Sequence, residues 1–93
     1  GKQKRYLRGL GNSLKPVVLI GHHGIDDGVV AAVASAAAAH ELVKIKLLES
    51  YAGDRHTIAE ELAVRTKTKL VQVIGKTILL YKTAAPPEIQ LPE

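Results

Sequence analysis

The sequence predicts a small α/β domain, a two-layer sandwich in the order α-β-α-β-α-β-β, on three observations. Short β-branched apolar runs at residues 17–20, 41–48, 70–74 and 77–81 alternate with stretches of helical spacing. Asp26 and Asp54 stand where helices should start, each able to accept hydrogen bonds from a first turn. Only Gly75-Lys76 separates the last two runs, which fits a tight antiparallel hairpin. Strands joined through helices should run parallel with right-handed crossovers, so the four-stranded sheet is mixed. One polar sheet face then leaves the helices together on the other.

The first helix rests on Leu7, Leu10 and Leu14, spaced i, i+3, i+7. Lys4, Arg8 and Lys15 gather on a neighbouring side with Arg5 beyond them, and Gly11-Asn12-Ser13 ends the helix. Pro16 forbids further helix and opens the first strand. The second helix, residues 27–40, takes its propensity and slim profile from alanines, with Val29, Val33 and Ala37 inward. In the second strand Val43, Ile45 and Leu47 face one way, and Lys44 and Lys46 the other. Tyr51-Ala52-Gly53-Asp54 turns the chain into a third helix, residues 55–67, with Ile58 and Leu62 inward and Glu61 four residues before Arg65. Beyond Thr83, the residues Pro86, Pro87 and Pro92 forbid regular structure. Residues 1–84 are therefore read as the domain and residues 85–93 as an extended Pro-rich tail.

A chain of 93 residues with 46% hydrophobic content forms one small domain and is too apolar to be disordered. No apolar run approaches the roughly 20 residues of a membrane span, and no apolar signal core opens the chain, so no membrane partner is expected. Gly1 in place of methionine is read as a processed or engineered start. Without cysteine there is neither a disulfide framework nor a thiolate metal site, which fits a cytoplasmic protein. The net charge of +4 is modest but uneven. Lys2, Lys4, Arg5, Arg8 and Lys15 all precede the first acidic residue. A one-signed stretch of this kind is the footprint of a polyanion binder; the alternative is a solvated helix face.

Catalysis finds little to work with. His22-His23 is the one histidine cluster, and no Asp, Glu or Cys set completes a metal site around it. Gly21-His22-His23-Gly24 lacks the Gly-Lys-Ser/Thr ending of a P-loop and is shorter than the dinucleotide fingerprint. No serine sits in a nucleophile elbow, and Asp26-Asp27 reads as a helix cap rather than as paired carboxylates. Neither enzymatic activity nor a cofactor is expected. The same Gly-x-x-Gly turn joins a strand end to a helix N-terminus, where free N–H groups suit an anion. Such a turn can press N–H groups against RNA phosphates. His22 and His23 would then stack on bases or touch phosphate; the alternative is two polar turn residues in water. Lys44, Lys46 and Lys76 would add charge.

With these residues in view, the chain resembles a known family. Lys2-Gln3-Lys4-Arg5-Tyr6-Leu7-Arg8-Gly9-Leu10, Leu14-Lys15-Pro16-Val17-Val18, Gly21-His22-His23-Gly24-Ile25, His40-Glu41-Leu42-Val43-Lys44-Ile45-Lys46 and Val71-Gln72-Val73-Ile74-Gly75-Lys76-Thr77 are similar, in order and spacing, to the bacterial YhbY proteins. These are single-domain members of the CRM group (chloroplast RNA splicing and ribosome maturation). The resemblance implies the fold of the C-terminal domain of bacterial translation initiation factor three. It also implies binding to ribosomal RNA in precursors of the large subunit, and a role in their assembly. The family's Gly-x-x-Gly loop falls on residues 21–24, and its basic surface on the lysines and arginines named above. Lys82 departs from the arginine usual after Leu-Tyr and loses its planar fork. The alanines at residues 36–39 stand where relatives carry polar side chains.

The leading expectation is a monomeric, non-catalytic RNA-binding module. A protein-interaction module docking on ribosomal proteins or assembly factors, through the exposed sheet or the tail at Ile89 and Leu91, is the alternative. A phosphate-handling enzyme built on the glycine turn comes third.

Overall fold

The structure is a computed structural model that describes residues 2–83 and Ile89. Its elements are α1 (Lys2–Gly11), β1 (Val18–Ile20), α2 (Asp27–His40), β2 (Leu42–Leu47), α3 (Arg55–Thr66), β3 (Lys69–Ile74) and β4 (Thr77–Tyr81). The sheet order is β1-β2-β4-β3. β1 and β2 are parallel, while β4 runs antiparallel to both β2 and β3, so the sheet is mixed as expected. The proposed division at residue 84, and all of the tail except Ile89, lie outside the described residues.

The layering differs from the expected single helical face. Strand β4 sits inside the sheet and is apolar on both sides: Ile78 and Leu80 face one core, Leu79 and Tyr81 another. A strand of that kind needs cover on both faces. α2 and α3 cover the first face, where Val33, Ala37, Ile58 and Leu62 meet Val43, Ile45 and Ile78. α1 covers the second, its Leu7 packing with Leu42, Val71, Leu79 and Tyr81, and Leu10 and Ile89 closing the edge of that cluster. A bulge between Leu70 and Gln72 supplies Val71 to the α1 side while Leu70 turns to the α2–α3 side.

Both Asp caps form. Asp26 accepts from Val29 N at 2.8 Å. Asp54 accepts from Thr57 N at 2.8 Å and from Thr57 Oγ1 at 2.9 Å. The Thr57 amide, and then its hydroxyl, hold the Asp54 carboxyl below its ordinary value. A depressed carboxyl contributes stability that is present at neutral pH and is lost as pH falls through the folded-state value. Asp54→Asn should therefore narrow the stability difference between neutral pH and pH below about 4, read by urea unfolding at both pH values.

Glu41 ends α2 in a way the sequence did not suggest. Its backbone is in a positive-φ conformation (φ 64°, ψ −53°) and its side chain is buried. A non-glycine residue at such a φ is strained and must be held by its surroundings. Its amide donates to Ala37 O, its carbonyl accepts from Lys82 N, and Oε1 accepts from Ile89 N at 3.1 Å. Glu41 thus ties the end of α2, the exit from β4 and Ile89 together.

Candidate nucleic-acid interface

Residues 21–24 form a tight turn at the end of β1, closed by Gly24 N donating to Gly21 O at 3.0 Å. Gly24 sits at φ +66°, a conformation that L side chains adopt at a cost. A Cβ on Gly21 would lie 2.9 Å from Ser50 Oγ, so this glycine admits the loop that follows β2. Gly24 therefore has a backbone reason to be glycine, whereas at Gly21 the close neighbour is the end of an exposed serine side chain. Between them His22 and His23 are exposed, with ring centroids 3.9 Å apart and planes tilted by 40°. Among the described residues, neither histidine amide has a protein partner.

The helix N-terminus behind the turn is less open to an anion than the sequence suggests. Asp26 already occupies the Val29 amide, and Asp27 adds a second exposed carboxylate in the first turn of α2, 3.8 Å from Arg65. These two charges satisfy the helix dipole from within the chain. What the turn presents outward is the pair of histidine amides and imidazoles.

α1 has the opposite character. Lys2, Lys4 and Arg5 fill its first turn, which holds no acidic residue, and Arg8 follows in its last turn. Positive side chains oppose the dipole there, each by roughly 0.3–1 kcal/mol. The helix is held instead by burial of Leu7 and Gly11 against the sheet. Folding alone gives no reason for this charge pattern. Lys4 and Arg8 rise beside edge strand β3, lining with His56 a groove of roughly 440 Å³.

The remaining expected residues divide by their surroundings. Lys15 and Lys44 come together with His40 on an apolar groove of roughly 490 Å³ between the end of α1 and β2. Lys44 is half-buried and donates to Leu14 O at 3.1 Å, so it also pins the segment before β1 to the sheet. Lys76, on the hairpin turn, is ion-paired with Glu49. Lys46 is exposed in the middle of β2, and no described acidic side chain pairs with it. Lys82 is exposed just past β4. The turn at residues 21–24 and the Lys4–Arg8 pair lie toward opposite edges of the sheet, which at four strands is roughly 14 Å wide. Two exposed residues of the sheet, Leu19 and Ile74, escaped the sequence. Alternation along β1 and β3 was the signal that could have placed both.

Among the described residues no group of three His, Asp or Glu side chains is arranged to hold a metal ion, and no helix is long and apolar enough to cross a membrane.

Comparison with known proteins agrees with this architecture. The Bacillus subtilis protein named "Probable RNA-binding protein YqeI" is 39% identical over 93 residues, covering 99% of this chain and 97% of its own. A Haemophilus influenzae protein named "RNA-binding protein" is 37% identical, covering 98% and 92%. The solution structure of SAV1595 from Staphylococcus aureus superposes with a TM-score of 0.83 at 37% identity, over 98% of this chain and 96% of that one. The overall fold is thus shared with a solved relative. With residues 1–82 matching the CRS1 / YhbY (CRM) domain, the chain belongs to that family.

Proposed function

We propose that this protein is a non-catalytic RNA-binding module of the cytoplasm, acting as a monomer, that binds ribosomal RNA in large-subunit precursors and assists their assembly. The observation that carries the reading is α1: four cations, no acid, and three of the cations in a first turn where they oppose the helix dipole. Its relatives' names support RNA as the ligand class. The resemblance to YhbY proteins supports ribosomal RNA in particular. We take residues 1–84 as the binding unit and residues 85–93 as its tail.

Binding by α1 should be chiefly electrostatic. Affinity for a structured fragment of large-subunit ribosomal RNA should fall linearly in log–log terms with salt, by roughly 0.7 for each phosphate contacted on single-stranded segments. Undetectable binding at low salt would contradict the reading.

The turn is tested separately. Gly24→Asp adds a negative charge beside the histidine amides, at a φ that Asp tolerates better than most residues. The variant should stay folded and lose about five- to tenfold in RNA affinity, the size of one near-surface charge repulsion. Binding equal to the parent's, by filter retention or fluorescence anisotropy, would remove the turn from the interface.

A further inference from the structure

We propose that the part of the sheet left bare beyond the end of α1 is a second contact surface for RNA, one that receives the apolar faces of unpaired nucleotides. The proposal rests on the RNA-binding reading above. Strand register defines the surface. Leu19 pairs with Lys46, Lys46 with Thr77, and Thr77 with Ile74, so these four residues form one row across all four strands. Their neighbours Val18, Ile45, Ile78 and Val73 belong to the core under α2 and α3, which puts the row on the α1 side. α1 borders this row without covering it, Gly11 and Asn12 sharing a hollow with Thr77 and Ile74. The helix ends at Gly11, over the adjacent row that holds Lys44, Leu79 and Gln72.

The row is chemically unusual for a solvent-facing strip. Leu19 is 56% exposed and Ile74 61%, while Val17, 49% exposed, extends the apolar surface along the β1 edge. Val17 and Leu19 adjoin at the β1 edge and Ile74 ends the row at the β3 edge, so the uncovered face offers aliphatic contact at both ends of a polar centre made by Lys46 and Thr77. Lys46 stands between them without an acidic partner among the described residues.

Charge selects the occupant. The α1 side carries Lys2, Lys4, Arg5, Arg8, Lys15 and Lys46, whereas the helices that cover the other face carry charge of both signs, Asp27, Glu60 and Glu61 with Arg55 and Arg65. A surface that combines aliphatic side chains with charge of one sign fits a polyanion that also offers apolar faces. Unpaired nucleotides do so: their bases can leave the stack and rest on side chains while the phosphates meet lysine. The strip also runs into the Gly-x-x-Gly turn, because Leu19 lies two residues before Gly21 and Gly21 backs onto Leu48. One strand of RNA can therefore pass from the turn across the row toward α1.

The test uses the whole chain and two probes: a short single-stranded oligoadenylate, and the matching abasic ribose-phosphate oligomer. Leu19→Ser combined with Ile74→Ser removes apolar contact at exposed positions, and thermal unfolding checks that the fold is kept. The double variant should bind oligoadenylate about tenfold more weakly with an unchanged salt slope, and bind the abasic oligomer like the parent. Lys46→Ala should lower the salt slope by about 0.7 on both probes. If the parent binds oligoadenylate and the double variant matches it, the proposal fails alone, and the strip is left to a protein partner. Equal losses on both probes would overturn it too, since bases would then play no part. A parent that binds neither probe, nor ribosomal RNA, overturns this proposal and the RNA-binding reading together.

Discussion

Lys4→Ala combined with Arg8→Ala should reduce the salt slope of RNA binding by about 1.4, which at 0.1 M salt corresponds to an affinity loss of roughly 25-fold. Both side chains are exposed, one helical turn apart, on a helix whose buried contacts are made by Leu7 and Gly11, so the fold should survive the change. Lys4 opposes the helix dipole from the first turn and Arg8 complements it from the last, so the two dipole effects should roughly cancel in stability. The loss should be uniform across RNA sequences, as expected of contacts to phosphate. Salt titrations of parent and variant against several RNAs measure both effects. A sequence-selective loss would mean that α1 reads bases.

Leu62→Ala should destabilise the domain by about 3 kcal/mol. Leu62 is fully buried where α3 meets the sheet, among Ile58, Ile45, Ile78 and Leu80. The core contains no Phe, Trp or Met, so no large flexible neighbour can move into the space that is left. Against a typical total of about 5–15 kcal/mol, this is a large share, and the melting temperature should fall by roughly 12–24 °C. On the same helix Val64 is 78% exposed, and Val64→Ala should change stability by no more than about 0.5 kcal/mol. Comparable effects for the two substitutions, measured by chemical denaturation, would contradict this account of the core.

Much of the fold was legible because local signals agreed with one another. Asp26 and Asp54 cap the helices they were read to cap. Gly75, at φ +56°, closes the expected hairpin, and α2 runs over the expected residues. The layering was harder to read. Leu79 and Tyr81 alternate with Ile78 and Leu80 in an unbroken apolar run, and such a run leaves open which helix covers which face. Glu41 was equally hidden: it reads as the opening residue of the second strand, with no sign that it ends α2 at a positive φ with a buried side chain. It is the tertiary contacts to Ala37, Lys82 and Ile89 that bury it.

The interface was legible as a composition and much less so as a geometry. Counting lysines could not reveal that Lys76 is paired with Glu49, that Lys44 is tied to Leu14, or that Lys46 stands alone on an open row. The Gly-x-x-Gly turn was read as the opening of an anion cradle, yet Asp26 occupies the helix amide behind it. The exposed histidine pair is what the turn has left to offer.

The most direct test of the interface is a map of backbone amide shifts on adding a ribosomal RNA fragment at low salt. Changes should concentrate in α1, the turn at residues 21–24 and the open row from Leu19 through Lys46 and Thr77 to Ile74, with the outer faces of α2 and α3 silent. Changes confined to those outer faces, or none at saturating RNA, would contradict it.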